Sequence, residues 1–290
     1  MKKSIPLIAL AALAAFSLDT RAAGFTGAVV DYVSGTLPPS DATLIDPSAA
    51  LGKPAPITGA GGMYPAVLSP FSPHYEASQI TAVGVGGHLT LQLQNFVTID
   101  RTAGVAEIGI WENVGVIDPA FNGTAGTPAG FFGADTAVVD VSPDNLNWYS
   151  LNNGAPILFT MPGTYYLNAG PYDPAAPASP VEADFGKPFN GTPSGFDGKT
   201  NAQILSYFDG SAGGTWLDVN DAGSAVPANV TQIGFIRFSN PGNSDGFELD
   251  GVAINTNLTG APVPEPTSAA LCGVGFVLCL ARRFRRPCAS

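Results

Sequence analysis

The sequence predicts an all-β protein, a single two-sheet antiparallel β-sandwich of jelly-roll type. Three observations carry this. Turn-forming residues separate short apolar runs throughout, with 35 Gly and 26 Pro in 290 residues, which favours many short strands. Few stretches carry the 3.6-residue apolar period of a helix. The cleanest pattern has period two: Leu89, Leu91 and Leu93 alternate with His88, Thr90, Gln92 and Gln94. That alternation marks a half-buried antiparallel strand.

The elements follow in order. Ala28–Val33 reads as the first strand, and Gly35–Pro73, rich in Pro, Gly, Ala and Ser, mainly as loop. Strands are expected at Ile80–Val85, His88–Gln94, Glu107–Glu112 and Ala137–Val141. A turn at Ser142-Pro143-Asp144-Asn145 leads into Trp148–Leu151. Tyr165–Ala169 reads as a brief pairing segment, Pro171–Pro180 as an exposed loop and Thr200–Tyr207 as a short helix. Thr215–Val219, Ile233–Ser239 and Phe247–Ile254 complete the strands. No internal repeat is evident.

The two ends of the chain are different in kind. Lys2 and Lys3 precede an apolar run, Ile5–Leu18, and Thr20-Arg21-Ala22 fits a cleavage site. This is the pattern of a secretory signal peptide, residues 1–22. At the other end, Val263-Pro264-Glu265-Pro266 precedes an uncharged run, Ser268–Ala281, and then Arg282, Arg283, Arg285 and Arg286. As a helix those fourteen residues span about 21 Å, short of the ~30 Å of bilayer hydrocarbon. Arginines snorkelling to the interface would hold such a segment, and a basic cluster stays on the cytoplasmic side.

That arrangement resembles the PEP-CTERM sorting signal of Gram-negative bacteria. The resemblance covers about the last 28 residues, in motif, order and spacing. It implies transient insertion in the inner membrane and processing by an exosortase at or near the Pro-Glu-Pro motif. It further implies release to, or attachment at, the cell surface or extracellular matrix, often beside exopolysaccharide. The expected organisation is a signal peptide over 1–22, a sandwich over 23–260 and a sorting tail over 261–290.

Without its ends the chain is strongly acidic and free of cysteine. Cys272, Cys279 and Cys288 all lie in the tail, which excludes a disulfide framework and a thiol nucleophile in the body. Lys2, Lys3, Arg21 and the four tail arginines are seven of the 12 basic residues, leaving five. Asp19 and Glu265 are the only acidic residues outside the body, leaving 21 of 23 and a formal charge of −16. Such a surface repels nucleic acid and attracts divalent cations.

A second resemblance spans residues 80–255. Gly86-Gly87-His88-Leu89-Thr90-Leu91, Ile110-Trp111-Glu112-Asn113 and Val139-Asp140-Val141-Ser142-Pro143-Asp144 with Trp148 look like segments of an uncharacterised group of bacterial surface β-sandwich proteins. So do Gly213-Gly214-Thr215-Trp216-Leu217-Asp218 and Phe247-Glu248-Leu249-Asp250-Gly251-Val252. Trp111 stands where the group has Phe, Asn145 where it has a turn Gly, and Gly251 where it has Ala. The group is similar to carbohydrate-binding sandwiches.

No catalytic constellation is expected. His74 and His88 are the only histidines, His88 on the polar face of its strand and His74 in a loop. No nucleophile elbow, zinc-protease motif or phosphate loop is present. Glu112 with Glu248 or Asp250 would suit a glycosidase only at ~5–9.5 Å separation. A structural Ca²⁺, which takes 6–8 oxygen ligands, has Glu112, Asn113, Asp140, Asp218 and Asp250 as candidate ligands; the plainer reading is acids bonding local turns. Trp111, Trp148, Trp216, Tyr165, Tyr166 and Tyr172 are candidate glycan platforms or core. The expectation is a non-enzymatic surface or matrix protein associated with exopolysaccharide. Its alternatives are a dedicated glycan-binding module and a glycoside hydrolase.

Overall fold

The computed structural model describes residues 24–264, apart from Met63, Ala222, Asn243 and Ser244. The predicted leader and the tail from Glu265 onward, including all four arginines, lie outside the described residues. So does Ser268–Ala281; among the described residues no helix is long and apolar enough to cross a membrane.

The chain runs through β1 (Thr26–Val33), β2 (Ile57–Thr58), β3 (Ala66–Val67), β4 (Thr81–Val83), β5 (His88–Thr98), β6 (Ile108–Glu112), β7 (Gly115–Val116) and β8 (Phe131–Phe132). It continues through β9 (Thr136–Ser142), β10 (Tyr149–Ser150), β11 (Ile157–Leu158), α1 (Asn201–Tyr207), β12 (Thr215–Leu217), β13 (Gln232–Ser239), β14 (Phe247–Ile254) and β15 (Thr259–Pro262). The protein is all-β with little helix. One sheet has the order β1-β5-β13-β9-β10, with β11 on β9 and β15 on β5. The other has the order β12-β6-β14-β4. The strand pairs in both sheets are antiparallel.

The two sheets share one core. Leu89, Leu91 and Leu93 of β5 and Ile236 and Phe238 of β13 join Ile108 and Ile110 of β6 and Leu249, Val252 and Ile254 of β14. Phe238 stacks on Phe247, ring centroids 5.1 Å apart, which ties β13 directly to β14 across the interface. Smaller clusters flank this core. One gathers Trp111, Tyr165, Tyr166 and Phe185. Another packs Ile204 and Leu205 of α1 against Phe189, Phe196 and Phe208. That helix forms at the predicted place because Thr200 and Gln203 cap it reciprocally.

Two expectations change, the burial of β5 and the end of the body, and two hold. Strand β5 is not half-buried: Thr90 and Gln92, on its polar face, are buried too. Arg237 of β13 donates to Thr90 Oγ1 at 2.9 Å, and the Trp148 ring lies over the Arg237 guanidinium. As expected, Gly35–Pro73 is mainly loop; within it lie the β2–β3 ribbon and a short 3-10 turn, Pro47–Ala50, capped by Asp46. Ala50 is fully buried in the main core. Tyr165–Ala169 pairs briefly, as expected, through a bridge between Tyr166 and Glu182. The body also extends past residue 260, because β15 pairs with β5. Val263 then packs into the main core, 7% exposed.

Two turn positions explain their residues. Asn145 has φ of 62°, and Asn tolerates that left-handed region better than most residues. Gly214 has φ of 75°, and a Cβ there would lie 2.8 Å from the Trp111 ring. The Gly213-Gly214 pair is therefore what lets the chain cross Trp111 closely.

Candidate functional site

The candidate oxygen ligands are distributed over both sheets. Glu112 ends β6 and Asn113 follows it. Asp140 lies in β9, in the other sheet; it accepts from Ser150 Oγ at 2.5 Å and pairs in register with Arg237. Asp218 follows β12 and accepts the backbone N–H of Asn220 at 2.7 Å and of Gly104 at 2.9 Å. Asp250, in β14, stands 2.7 Å from His74 Nδ1. Asp140, Asp218 and Asp250 thus each already have a hydrogen-bond partner, local for Asp140 and for the Asn220 bond of Asp218, and distant in sequence for Asp250.

Glu112 and Asn113 have other company. Antiparallel pairing sets Leu249 opposite Glu112, and the Asn113 N–H donates to the Glu248 carbonyl at 3.3 Å. The Asn113 side-chain amide donates to Glu248 Oε2 at 3.1 Å. Asp135 follows the tight turn at Gly133, whose backbone lies directly against the Asn113 carbonyl. Asp41, from the loop after β1, stands against Glu248 and is itself buried. Asp41, Glu112, Asp135 and Glu248 thus converge from four separate stretches of chain.

Their electrostatics are severe. Glu112 is 5% exposed, and neither carboxyl oxygen has a hydrogen-bond partner. Burial, with Asp135 and Glu248 nearby, holds its pKa well above the ordinary glutamate range. Burial raises Glu248 to about 8, with Asp41 and Asp135 adding repulsion. Burial raises Asp135 to about 7, helped by Asp245 and Asp41. No basic group of the described residues compensates. Lys53 pairs with Glu182, Lys187 with Asp209 and His88 with Asp31. Lys199 lies over Tyr207. Arg101 holds Asn220 and the carbonyls of Val226, Pro227 and Val230.

His74 lies in a loop, as expected, but its burial was not legible in the sequence. It is 1% exposed, bonded to Asp250 by Nδ1, with Nε2 left without a partner. Its neighbours in sequence, Pro73 and Tyr75, suggest an ordinary loop. Only the partner 176 positions away makes it half of a buried hydrogen-bonded pair.

Three of the six candidate aromatics, Trp111, Tyr165 and Tyr166, are core, while Trp148 and Trp216 are partly buried and Tyr172 is exposed. Trp111 is buried, donates Nε1–H to the Ala212 carbonyl at 3.1 Å and meets Trp216 edge-on at 5.9 Å. Tyr165 and Tyr166 are buried beside it. Trp216 is partly exposed and borders two clefts. One, of about 320 Å³, also includes Leu158, Asp218 and Asp221. The other, of about 580 Å³, includes Met161, Asn190 and Thr215. A third cleft, of about 440 Å³, lies along α1 at Asn201 and Leu205. None of the three is lined by Glu112, Glu248 or Asp250.

The start of the predicted sorting motif is fixed to the body. The Val263 N–H donates to the Gln94 carbonyl at 2.9 Å. The Gln92 side-chain amide donates to the Val263 carbonyl at 3.3 Å and the Pro264 carbonyl at 3.1 Å. No protein-family model matches the chain, and a search of curated proteins finds no match either.

Proposed function

We propose that this chain is an exported, non-enzymatic protein of the Gram-negative cell surface or extracellular matrix. Its two sheets form a single jelly-roll-like sandwich, and an exosortase processes its tail after transient insertion in the inner membrane. One observation carries the reading. The folded body closes on Val263, the first residue of the sorting motif, and Gln92 holds the carbonyls of Val263 and Pro264.

Association with exopolysaccharide is the partner this reading favours. Trp216, between two shallow clefts and beside Asp218 and Asn190, offers a partly exposed ring with polar neighbours, the usual makeup of a sugar-binding face. A glycosidase has less support, because Glu112 is buried and Glu248 half-buried, and neither lines any of the three clefts. The test is expression of the tagged full chain in an exopolysaccharide-producing host with and without its exosortase. Surface or medium fractions should hold a product that begins near Ala23 and lacks the apolar tail, only when the exosortase is present. Full-length protein in the inner membrane of both strains would refute the sorting role.

A further inference from the structure

The tetrapeptide Phe-Asn-Gly-Thr occurs twice, at Phe121–Thr124 and at Phe189–Thr192. With the local sequence identical, a difference in their chemistry has to come from the fold. Asn followed by Gly is open to one backbone reaction in particular. The glycine amide nitrogen attacks the asparagine side-chain carbonyl carbon, and glycine puts no Cβ in the way of that approach. A third such pair, Asn153-Gly154, lies in the turn after β10.

The three glycine nitrogens are held differently. The Gly123 N–H donates to Asp118 Oδ2 at 2.5 Å, and Gly123 is buried. Attack requires that proton to leave, and a carboxylate acceptor holds it in place. The Gly154 N–H donates to the Leu151 carbonyl at 2.9 Å, and the Asn153 N–H to the Gly223 carbonyl at 2.5 Å. Gly191 is under no such restraint. Among the described residues its N–H has no acceptor, and neither has the backbone N–H of Asn190. Asn122 and Asn190 are both exposed, so access of water does not separate the twins. The residues flanking the second pair are fixed: Phe189 meets Phe208 edge-on at 4.9 Å and Tyr207 at 5.2 Å, and the Thr192 N–H donates to Tyr207 Oη at 3.2 Å. Asn190 and Gly191 border the cleft of about 580 Å³ beside Trp216.

We propose that Asn190 is a site of spontaneous deamidation in the native protein, whereas its sequence twin Asn122 is locked by Asp118. The Gly191 nitrogen gives its proton to solvent base and bonds to Asn190 Cγ. The Cγ–Nδ2 bond breaks and ammonia leaves, which closes a five-membered succinimide. Water then adds to one of the two ring carbonyls. Opening at the side-chain carbonyl leaves an aspartyl residue; opening at the main-chain carbonyl leaves an isoaspartyl residue, whose backbone runs through Cβ and Cγ. No electron changes hands, and water is the only co-reactant. Either product places a carboxylate where a neutral amide stood in the cleft. The isoaspartyl form also lengthens the backbone just before Thr192 and its bond to Tyr207. The modification is independent of how the chain is sorted and of whether the Trp216 face holds a sugar.

The test uses the purified full chain held at pH 8, with timed samples digested at low pH and mapped by mass spectrometry. Conversion reads as the small mass gain of an amide becoming a carboxyl, and isoaspartyl peptides elute apart from aspartyl ones. In the native protein position 190 should convert about 10-fold faster than position 122, the rate equivalent of one hydrogen bond to a carboxylate. Position 153 should lag as well. In denaturing urea the two Phe-Asn-Gly-Thr sites should convert at equal rates. Asp118→Ala frees the Gly123 N–H and should bring position 122 up toward the rate of position 190. Equal native rates at 122 and 190, or a faster rate at 122, would overturn the proposal. So would a gap that persists unchanged in urea, since the fold would then not be its cause. An Asp118→Ala protein whose position 122 stays slow would overturn the lock.

Discussion

Glu107 and Glu112 open and close one stretch of chain and show what partners do to a buried carboxyl. Glu107 accepts the Asp100 N–H and the Val219 N–H, each at 2.9 Å. Glu112 accepts none. Burial pushes Glu107 up to about 7 even against those hydrogen bonds, and Asp218 adds repulsion. The sign follows from proton counting. Below about 4.5 the carboxyl is protonated in both the folded and the unfolded chain. Between about 4.5 and 7 the unfolded chain has lost the proton and the native one keeps it, so this group's contribution to stability falls as pH rises. Above about 7 the loss is complete. Carboxyl ¹³C NMR should place the Glu107 midpoint near 7; a midpoint near 4.5 would show a solvated, ordinary glutamate. Sequence could mark Glu112 and Asn113 as strand-end oxygens. It could not supply Asp41 or Asp135, because nothing in a linear pattern says which loops meet a given strand end. His74 was missed for the same reason.

Strand β5 is the element that ties both ends of the body together. β13 pairs along one edge, and β1 and β15 follow one another along the other. Its leucine alternation was readable because period two is local. The cover over Thr90 and Gln92 was not, since it comes from Arg237, Trp148 and the far end of the chain. Phe247–Ile254 was readable in full for a related reason: its apolar residues reach the core without help from another segment's side chains. The Gln92 clamp has a measurable consequence. Gln92→Leu keeps the size of the side chain and removes both hydrogen bonds to Val263 and Pro264. At about 1–2 kcal/mol for the pair, the Val263 amide should exchange with deuterium about 5- to 30-fold faster, while the amides of β13 stay unchanged. Equal acceleration throughout β13 would mean that the substitution loosens the sheet rather than the terminal strand.

For the whole molecule the question is whether the two sheets stand or fall together. The sequence supplied the class of fold, because turn density and strand-length apolar runs are compositional. Strand order was beyond it: β5 neighbours β1, β13 and β15, and only side-chain fit across the interface chooses that arrangement. Phe247 is where the fit is most concentrated. It stacks on Phe238 of the opposite sheet and meets Phe159 at 5.2 Å, all three being buried. Phe247→Ala removes contacts made to both sheets at once, at a cost of about 3–5 kcal/mol. For a body of this size that lowers the Tm by about 6–20 °C. Because the core is common, loss of tryptophan fluorescence in a Trp148→Phe background, where it reports on Trp111 in β6 and Trp216 in β12, should coincide with loss of far-UV circular dichroism in both parent and variant. If the fluorescence transition came well before the circular dichroism one, the sheet β12-β6-β14-β4 would be melting while the larger sheet persisted, and the shared core would not be the unit of cooperativity.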